Sequence, residues 1–347
     1  MLPRVAVIIV TFNGRHYLPD LFSSLQVVDY PDGYWRLVIV DNASSDGSAD
    51  EVARGWPGTV LLRQTSNLGF AAASNVGLRY AIDHGFDFAY LLNQDTVVTP
   101  AFVREAVTVA QAEPSAAAVQ SKLLLHGTNL VNSRGNELHF LGFGYAGGHR
   151  QPDAPIGVRE IAYPSGAAVL LRLEVLRRVG LLDESLFMYH EDLELGWRLW
   201  LAGYRSLLAP QSVVYHKYEF SRSIAKYYWM ERNRYLVVLT HYRLGSLLLI
   251  WPLSLVVDLG LLVQSLRGGY LRQLVSAQCC VLQPRTWRWV LQRRRRLRPL
   301  RRVSDRELIR RFVSEIKFQD LPETSWLRFG NMVMRAYWQM VRPLVRW

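Results

Sequence analysis

The chain has 347 residues, 50% of them hydrophobic and 20% charged, which is too apolar for a disordered chain and enough for one large core or two modest ones. Its only cysteines, Cys279 and Cys280, are neighbours, so a disulfide framework and a cysteine-built zinc site are both excluded. The net charge of +12 is uneven: residues 1–221 carry 17 Lys+Arg against 22 Asp+Glu, and residues 222–347 carry 24 against 7. Seven of the eleven tryptophans lie in the second stretch, so an acidic body precedes a basic, Trp-rich tail suited to a polyanion. The apolar run Val5–Val10 is shorter than a signal peptide needs, and a cytoplasmic location is expected.

In chain order, Arg4–Thr11 reads as a buried strand, Tyr17–Leu25 as a helix, and Leu37–Val40, ending at Asp41, as a second strand. Val60–Leu62 is a third strand, Phe70–Ile82 an Ala-rich helix, and Phe88–Leu92 a fourth strand, ending before Asn93-Gln94-Asp95. Continuous apolar strands alternating with helices predict a mostly parallel sheet covered by helices. Ligands of such sheets bind beyond the carboxyl ends of the strands, where Thr11-Phe12-Asn13, Asp41-Asn42 and Asn93-Gln94-Asp95 fall. Gly127–Pro164 reads as hairpins and loops, and helices return at Glu174–Val179 and Asp192–Ala202. Gly142–Gly147 matches G-x-G-x-x-G but lacks the preceding strand and following helix of a dinucleotide site. The body is placed at residues 1–220 and the helical tail at 221–347.

Each polar cluster has two readings. Asp41–Ser48 (DNASSDGS) either holds a base or ribose through its carboxylate, or is a capped turn. At Asn67-Leu68-Gly69-Phe70, Gly69 would let backbone approach a phosphate at a helix N-terminus, or the segment is an ordinary cap. Asp95, with hard oxygen donors, suits Mg²⁺ or Mn²⁺ holding a diphosphate, or is a turn residue. In His190-Glu191-Asp192 one carboxylate is either a general base or a favourable charge at a helix start. His216 is a metal ligand or a satisfied strand-end histidine.

Taken in order, VAVIIVTFNGR, VDNASSDGS, NLGFAAASNVG, LLNQDT, PSGAAVLLR, FMYHEDLELGWRLWLAGYR and YHKYEFSRS resemble the family-2 glycosyltransferases of GT-A fold, over roughly residues 4–235 and most nearly the rhamnosyltransferase-like members. The resemblance implies that Thr11, Asn13 and Asp41 contact the base and ribose of a nucleotide sugar, with Asn67 and Asn75 lining the donor pocket. It implies that Asp95 and His216 hold Mn²⁺ or Mg²⁺, that Asp192 is the base of an inverting transfer, and that Gly166 and Ala167, with Glu191 and Trp197, shape the sugar and acceptor pocket. The acidic metal motif of that family usually begins with Asp. Here the position is Asn93, which would instead bind sugar hydroxyls on the donor side. The implied partners are a nucleotide-sugar donor and a lipid-linked or polysaccharide acceptor, with rhamnose from dTDP-rhamnose the first candidate. A sugar nucleotidyltransferase and a non-catalytic nucleotide-sugar binder are the alternatives. The first would release pyrophosphate and usually carries a Gly-rich basic loop that Thr11–Arg15 matches poorly.

In the tail, Leu247–Val263 is apolar except at Pro252, Ser254, Asp258 and Gly260. At ~1.5 Å per residue it reaches about 25 Å, short of a ~30 Å hydrocarbon core. A re-entrant or interfacial hairpin kinked near Pro252 is expected, with a buried soluble helix pair as the other reading. Arg328, Arg335 and Arg342, spaced by seven among aromatic and aliphatic residues, fit a helix in an anionic headgroup layer on the cytoplasmic face of the membrane. No RNA-binding motif accompanies the basic residues, so nucleic acid is not expected as a partner.

Overall fold

The computed structural model describes residues 2–218, 224–317 and 325–347. The expected boundary at Phe220 and the end of the segment starting at Tyr215 lie outside them. The chain forms two compact units. One gathers residues up to 136 with 146–199 and 204–218, and the other gathers 137–145, 200–203 and the chain beyond Tyr218.

The first unit begins as the alternation predicts: β1 (Val5–Thr11), α1 (Leu18–Leu25), β2 (Trp35–Asp41), α2 (Ser48–Gly55), β3 (Val60–Arg63), α3 (Gly69–Asp83) and β4 (Phe88–Asn93). Helix α1 buries Leu18, Leu21, Phe22 and Leu25, the 3–4 spacing of one helical face. In α3, small residues bring the helix close to the sheet: a Cβ on Gly77 would sit 2.4 Å from the Ile8 side chain. These strands are parallel in the order β3-β2-β1-β4, with Thr11 level with Asp41 and Val10 level with Asn93. Register therefore delivers the three polar strand ends to one edge of the sheet.

Beyond β4 the chain adds β5 (Thr96–Val98), α4 (Phe102–Ala112), β6 (Ala116–Leu125), β7 (Val131–Ser133), β8 (Asn136–Leu138), β9 (Gly144–Ala146), β10 (Arg159–Glu160), β11 (Ala168–Arg172), α5 (Leu173–Val179), α6 (Glu191–Leu201) and β12 (Arg205–His216). The sheet extends as β10-β12-β6-β11-β4, with β11 antiparallel to both β4 and β6 and β12 parallel to β6. Strand β5 pairs antiparallel with β12, setting Thr96 opposite His216. The glycine motif at 142–147 falls on the β8–β9 hairpin, not on a strand-to-helix turn.

The second unit is helical: α7 (Lys226–His241), α8 (Leu244–Gly268), α9 (Leu271–Leu282), α10 (Pro284–Leu297), α11 (Asp305–Leu308) and α12 (Ser325–Val341). The hairpin expected near Pro252 is not there. Helix α8 runs unbroken through Pro252 for 25 residues, about 37 Å at ~1.5 Å each. Proline removes the donor for the Leu248 carbonyl, and Leu248 is 75% exposed. The apolar run is thus one helix, long and apolar enough to cross a membrane. Asp258 interrupts it for a reason: its carboxylate accepts from buried Arg234 of α7 at 2.7 Å, which also pairs with Glu231 and donates to the Leu141 carbonyl.

Candidate active site

At the β1 and β2 ends, the Thr11 hydroxyl donates to Asp41 Oδ1 (3.2 Å), and Asp41 Oδ2 accepts from the Ser44 N–H (3.3 Å). Asn13 has positive φ (47°), a conformation asparagine tolerates, and its Oδ1 accepts from the Ser45 N–H at 2.8 Å. Thr11, Asn13 and Asp41 are therefore neighbours, tied by the DNASSDGS turn. The turn also clasps the first strand's exit: Ser48 Oγ accepts from Gly14 and Asp46 accepts from Arg15. Gln94, not singled out from sequence, joins this cluster to the β4 end. Its Oε1 accepts from the Phe12 N–H (3.0 Å) and its Nε2 donates to the Phe12 carbonyl (3.3 Å). A Cβ on Gly14 would collide with that amide.

Asp95 and His216 meet through the β5–β12 pairing, with Oδ1 3.3 Å from Nε2. His216 Nδ1 lies 2.9 Å from Asn132 Oδ1; with Nδ1 as the donor, a neutral ring would turn its Nε2 lone pair to the carboxylate. A carboxylate oxygen and a ring nitrogen this close could share a cation; the oxygen suits Mn²⁺ or Mg²⁺, whereas an imidazole also suits other transition metals. Among the described residues no further His, Cys, Asp or Glu completes a group of three, which leaves most positions to a ligand and water. Asn132, 5% exposed on β7, was not read from sequence, since its only signal is a pairing between distant strands. Asn132→Ala should free the imidazole to rotate and weaken Mn²⁺ binding by ~10-fold or more. Mn²⁺ titration followed by electron paramagnetic resonance measures this without turnover, and unchanged affinity would remove Asn132 from the assignment.

The carboxylate pair opens α6. Asp192 Oδ2 accepts from the Gly166 N–H at 3.1 Å and Oδ1 from the Leu193 N–H at 2.7 Å. Next to Gly166, the Ala167 carbonyl accepts from the Asn93 N–H at 2.9 Å, so Asn93, Ala167, Gly166 and Asp192 form a continuous chain of contacts. A Cβ on Gly166 would sit 3.3 Å from Phe70 and 3.7 Å from Asp192 Cβ. Burial raises the Asp192 carboxyl above its usual range, opposed by the two backbone N–H groups. Glu191 is pushed further up, by burial first and then by Asp192, and its Oε2 is buried without a described partner. Both carboxyls are thus raised by burial, Glu191 further than Asp192. The preceding loop is strained, with Phe187, Tyr189 and His190 all at φ 63–66°.

The raised Glu191 pKa has a definite sign for stability. The neutral form suits the fold, so its contribution is fully present below the unfolded pKa near ~4.3 and is lost as pH rises through the folded value. Each unit of elevation is worth about 1.4 kcal/mol. Glu191→Gln should therefore melt progressively above wild type, by a few degrees, between pH 5 and pH 8. Parallel melting curves at both pH values would show that the carboxyl ionises freely in the folded protein.

Three of the implied positions are also engaged by the fold itself. Asn75 is 1% exposed and its amide is used on the loop after α5: Nδ2 donates to Leu182 O (2.9 Å) and Glu184 Oε1 (3.0 Å), and Oδ1 accepts from Leu182 N (3.0 Å). It latches that loop. Trp197 is 1% exposed in the core; five residues beyond Asp192, it lies about 140° around the helix from the base. Exposed Asn67 braces the turn into α3, its Oδ1 accepting from Gly69 N and Asn42 Nδ2 (both 2.9 Å). With Leu68 N bonded to Asn42 Oδ1 and Ala71 N to Phe187 O, the start of α3 is a protein-capped terminus, and the phosphate reading of Gly69 gives way to the packing one. A Cβ on Gly69 would lie 2.5 Å from the Phe187 carbonyl.

The mostly parallel sheet, with polar strand ends on one edge and a carboxylate held beside them, has the GT-A fold of its structural neighbours. Residues 3–235 match the family described as glycosyltransferase like family 2, and the chain belongs to that family. It is a glycosyltransferase that uses a nucleotide-sugar donor. It is 26% identical over 238 residues to N-acetylglucosaminyl-diphospho-decaprenol L-rhamnosyltransferase of Mycobacterium tuberculosis, covering 62% of this chain and 76% of that protein. It is 24% identical over 208 residues to the low-salt glycan biosynthesis hexosyltransferase Agl10 of Haloferax volcanii, covering 57% and 62%. Among solved structures it resembles GalNAc-T7 with UDP, GalNAc and Mn²⁺ (TM-score 0.58, 18% identity, 73% of this chain and 51% of that one). It also resembles the mannosyltransferase PcManGT of Pyrobaculum calidifontis in complex with GDP-Man and Mn²⁺ (0.54, 18%, 86% of each).

Proposed function

We propose that the protein is a metal-dependent inverting glycosyltransferase moving a hexose, rhamnose from dTDP-rhamnose first, to a hydroxyl of a lipid-linked or polysaccharide acceptor. The observation carrying the reading is the Asp192 carboxylate, fixed by the Gly166 N–H beside the strand-end cluster. Thr11, Asn13 and Asp41 bind the nucleoside, and Gly166, Ala167 and Asn93 border the sugar. Asp192 takes the acceptor hydroxyl proton as that oxygen bonds to the anomeric carbon and the bond to the nucleoside diphosphate breaks. Asp95 and His216 would hold Mn²⁺ or Mg²⁺, which when bound neutralises the departing diphosphate. Family membership decides against the nucleotidyltransferase reading. The rhamnosyl choice is supported by the mycobacterial relative's name.

The basic unit supports a position on an anionic membrane, at the cytoplasmic face. On α8 the exposed residues Leu244, Leu248, Trp251, Leu255, Leu259, Val263 and Leu266 form one stripe along the whole helix. The other side buries Ile250, Leu253 and Ser265, and Asp258 is bonded to Arg234. A helix pinned by an ion pair on one side and bare on the other suits lying in the interface, since crossing would strip that pair into hydrocarbon. The domain division near residue 220 then separates transfer from membrane attachment.

The deciding assay measures nucleoside diphosphate release from dTDP-, UDP- and GDP-sugars with Mn²⁺ and a membrane lipid extract, beside Asp95→Ala. Release from one donor, abolished by chelation and in the variant, is expected. Undiminished release by Asp95→Ala would overturn the metal assignment.

A further inference from the structure

The helical unit holds an open cavity of about 570 Å³ lined by Thr240, Leu291, Leu297 and five arginines, Arg243, Arg294, Arg295, Arg298 and Arg301, with no carboxylate in its wall. Two of the arginines are anchored by the fold. Arg294 donates to the Leu239 and Tyr242 carbonyls, and Arg301 donates to the His241 carbonyl and to Asp305. They cap the C-terminal end of α7, where a cation is favoured. The side chains of Arg243, Arg295 and Arg298 have no partner among the described residues. Five guanidinium groups around one cavity repel one another, and burial together with Arg301 lowers the Arg294 pKa. An anion in the cavity would relieve that repulsion, and arginine forks match phosphate oxygens in geometry.

The rim is apolar. Leu291 in the cavity wall is 54% exposed, and Trp287, one turn earlier on α10, is also exposed. Leu244, next to Arg243, is 68% exposed and begins the bare stripe of α8. A phosphate site opening onto exposed leucine and tryptophan suits an amphiphile better than a soluble anion.

We propose that this cavity binds the phosphate or diphosphate headgroup of a membrane lipid, with the hydrocarbon chain leaving past Leu291 and Leu244. The proposal rests on the membrane reading above and adds a specific site to it. The chemistry is common to an anionic phospholipid and to a lipid diphosphate carrying the acceptor, and the test separates the two.

The full-length protein is titrated with vesicles of phosphatidylcholine alone, phosphatidylcholine with phosphatidylglycerol, and phosphatidylcholine with a polyprenyl diphosphate. Arg295→Gln/Arg298→Gln is compared with Arg306→Gln/Arg310→Gln, an equal loss of charge at exposed arginines of the same unit outside the cavity. Arg295 and Arg298 are exposed and unpartnered among the described residues, and Arg306 and Arg310 are exposed, so melting curves should match wild type. The cavity variant should bind one or both phosphate-doped vesicles at least about tenfold more weakly, with the control close to wild type. The vesicle showing the selective loss identifies the source of the phosphate. Equal losses in both variants, or wild-type binding no tighter to doped than to zwitterionic vesicles, would overturn the site. The assay contains no donor sugar and no metal. Asp192→Asn protein should bind as wild type, so failure of the transfer mechanism leaves this result standing.

Discussion

Asp192→Asn should lower sugar transfer by ~10²–10⁴-fold, the range for removing a positioned general base, while nucleotide binding stays within about twofold. The amide keeps the size of the carboxylate and retains one oxygen for the Gly166 or Leu193 N–H, so the start of α6 should persist. What it loses is the capacity to take a proton. A second readout separates this from misfolding. Burial raises the Asp192 pKa, so the wild-type rate should fall as acidification through that value protonates the base. The residual rate of the variant should be flat over the same interval. A variant transferring at wild-type rate, or keeping the acid limb, would move the base elsewhere, with Glu191 the first candidate.

The parallel half of the sheet was legible because buried parallel strands are continuous apolar runs, and each one here ends in a polar cluster. Val5–Thr11, Trp35–Asp41, Val60–Arg63 and Phe88–Asn93 all fall within a few residues of their expected positions. The antiparallel half was less legible. Strand β11 enters between β4 and β6, and β5 is three residues long, too short to show a period. These placements depend on pairings between distant segments, which local pattern does not encode. Pro252 misled the reading of α8, since a proline weakens a helix without always ending it, and the carbonyl it frees at exposed Leu248 can reach other partners.

In the site, residue types at strand ends were readable, but which side chains serve a ligand and which serve the fold was not. Asn67 and Asn75 stand in the same motif, yet one braces the turn into α3 and the other fastens a loop more than a hundred residues away. Gln94 stood in a legible strand-end cluster without a role of its own, and Asn132 carried no signal, because each matters through what it touches. The strained loop at Phe187–His190 was equally invisible. Three non-glycine residues at positive φ are held only because the surrounding structure fixes both ends.

One of those ends is fixed by Arg198, and Arg198→Met should destabilise the protein by ~3–5 kcal/mol, the range for breaking a buried ion pair. From sequence, Glu194 and Arg198 are an i,i+4 pair of the kind worth about 0.3–0.5 kcal/mol on an exposed helix. Here their side chains are only 2% and 1% exposed. Arg198 donates five hydrogen bonds: two to Glu194 and one each to the carbonyls of Val179, Gly180 and Leu181. It closes the carbonyl end of α5 and anchors the segment that Asn75 grips at Leu182 and Glu184, upstream of the strained loop and Asp192. Methionine fills much of the volume but strands one carboxylate and three carbonyls. Lysine should rescue little, because one ammonium cannot span that set of acceptors. Adding Glu194→Leu to Arg198→Met should recover part of the loss by removing the orphaned charge, and urea unfolding of the four proteins gives the coupling energy. A loss below about 1 kcal/mol for the single variant would place this pair with ordinary surface pairs. The expected loss would make the loop before Asp192 depend on an ion pair buried along the same helix.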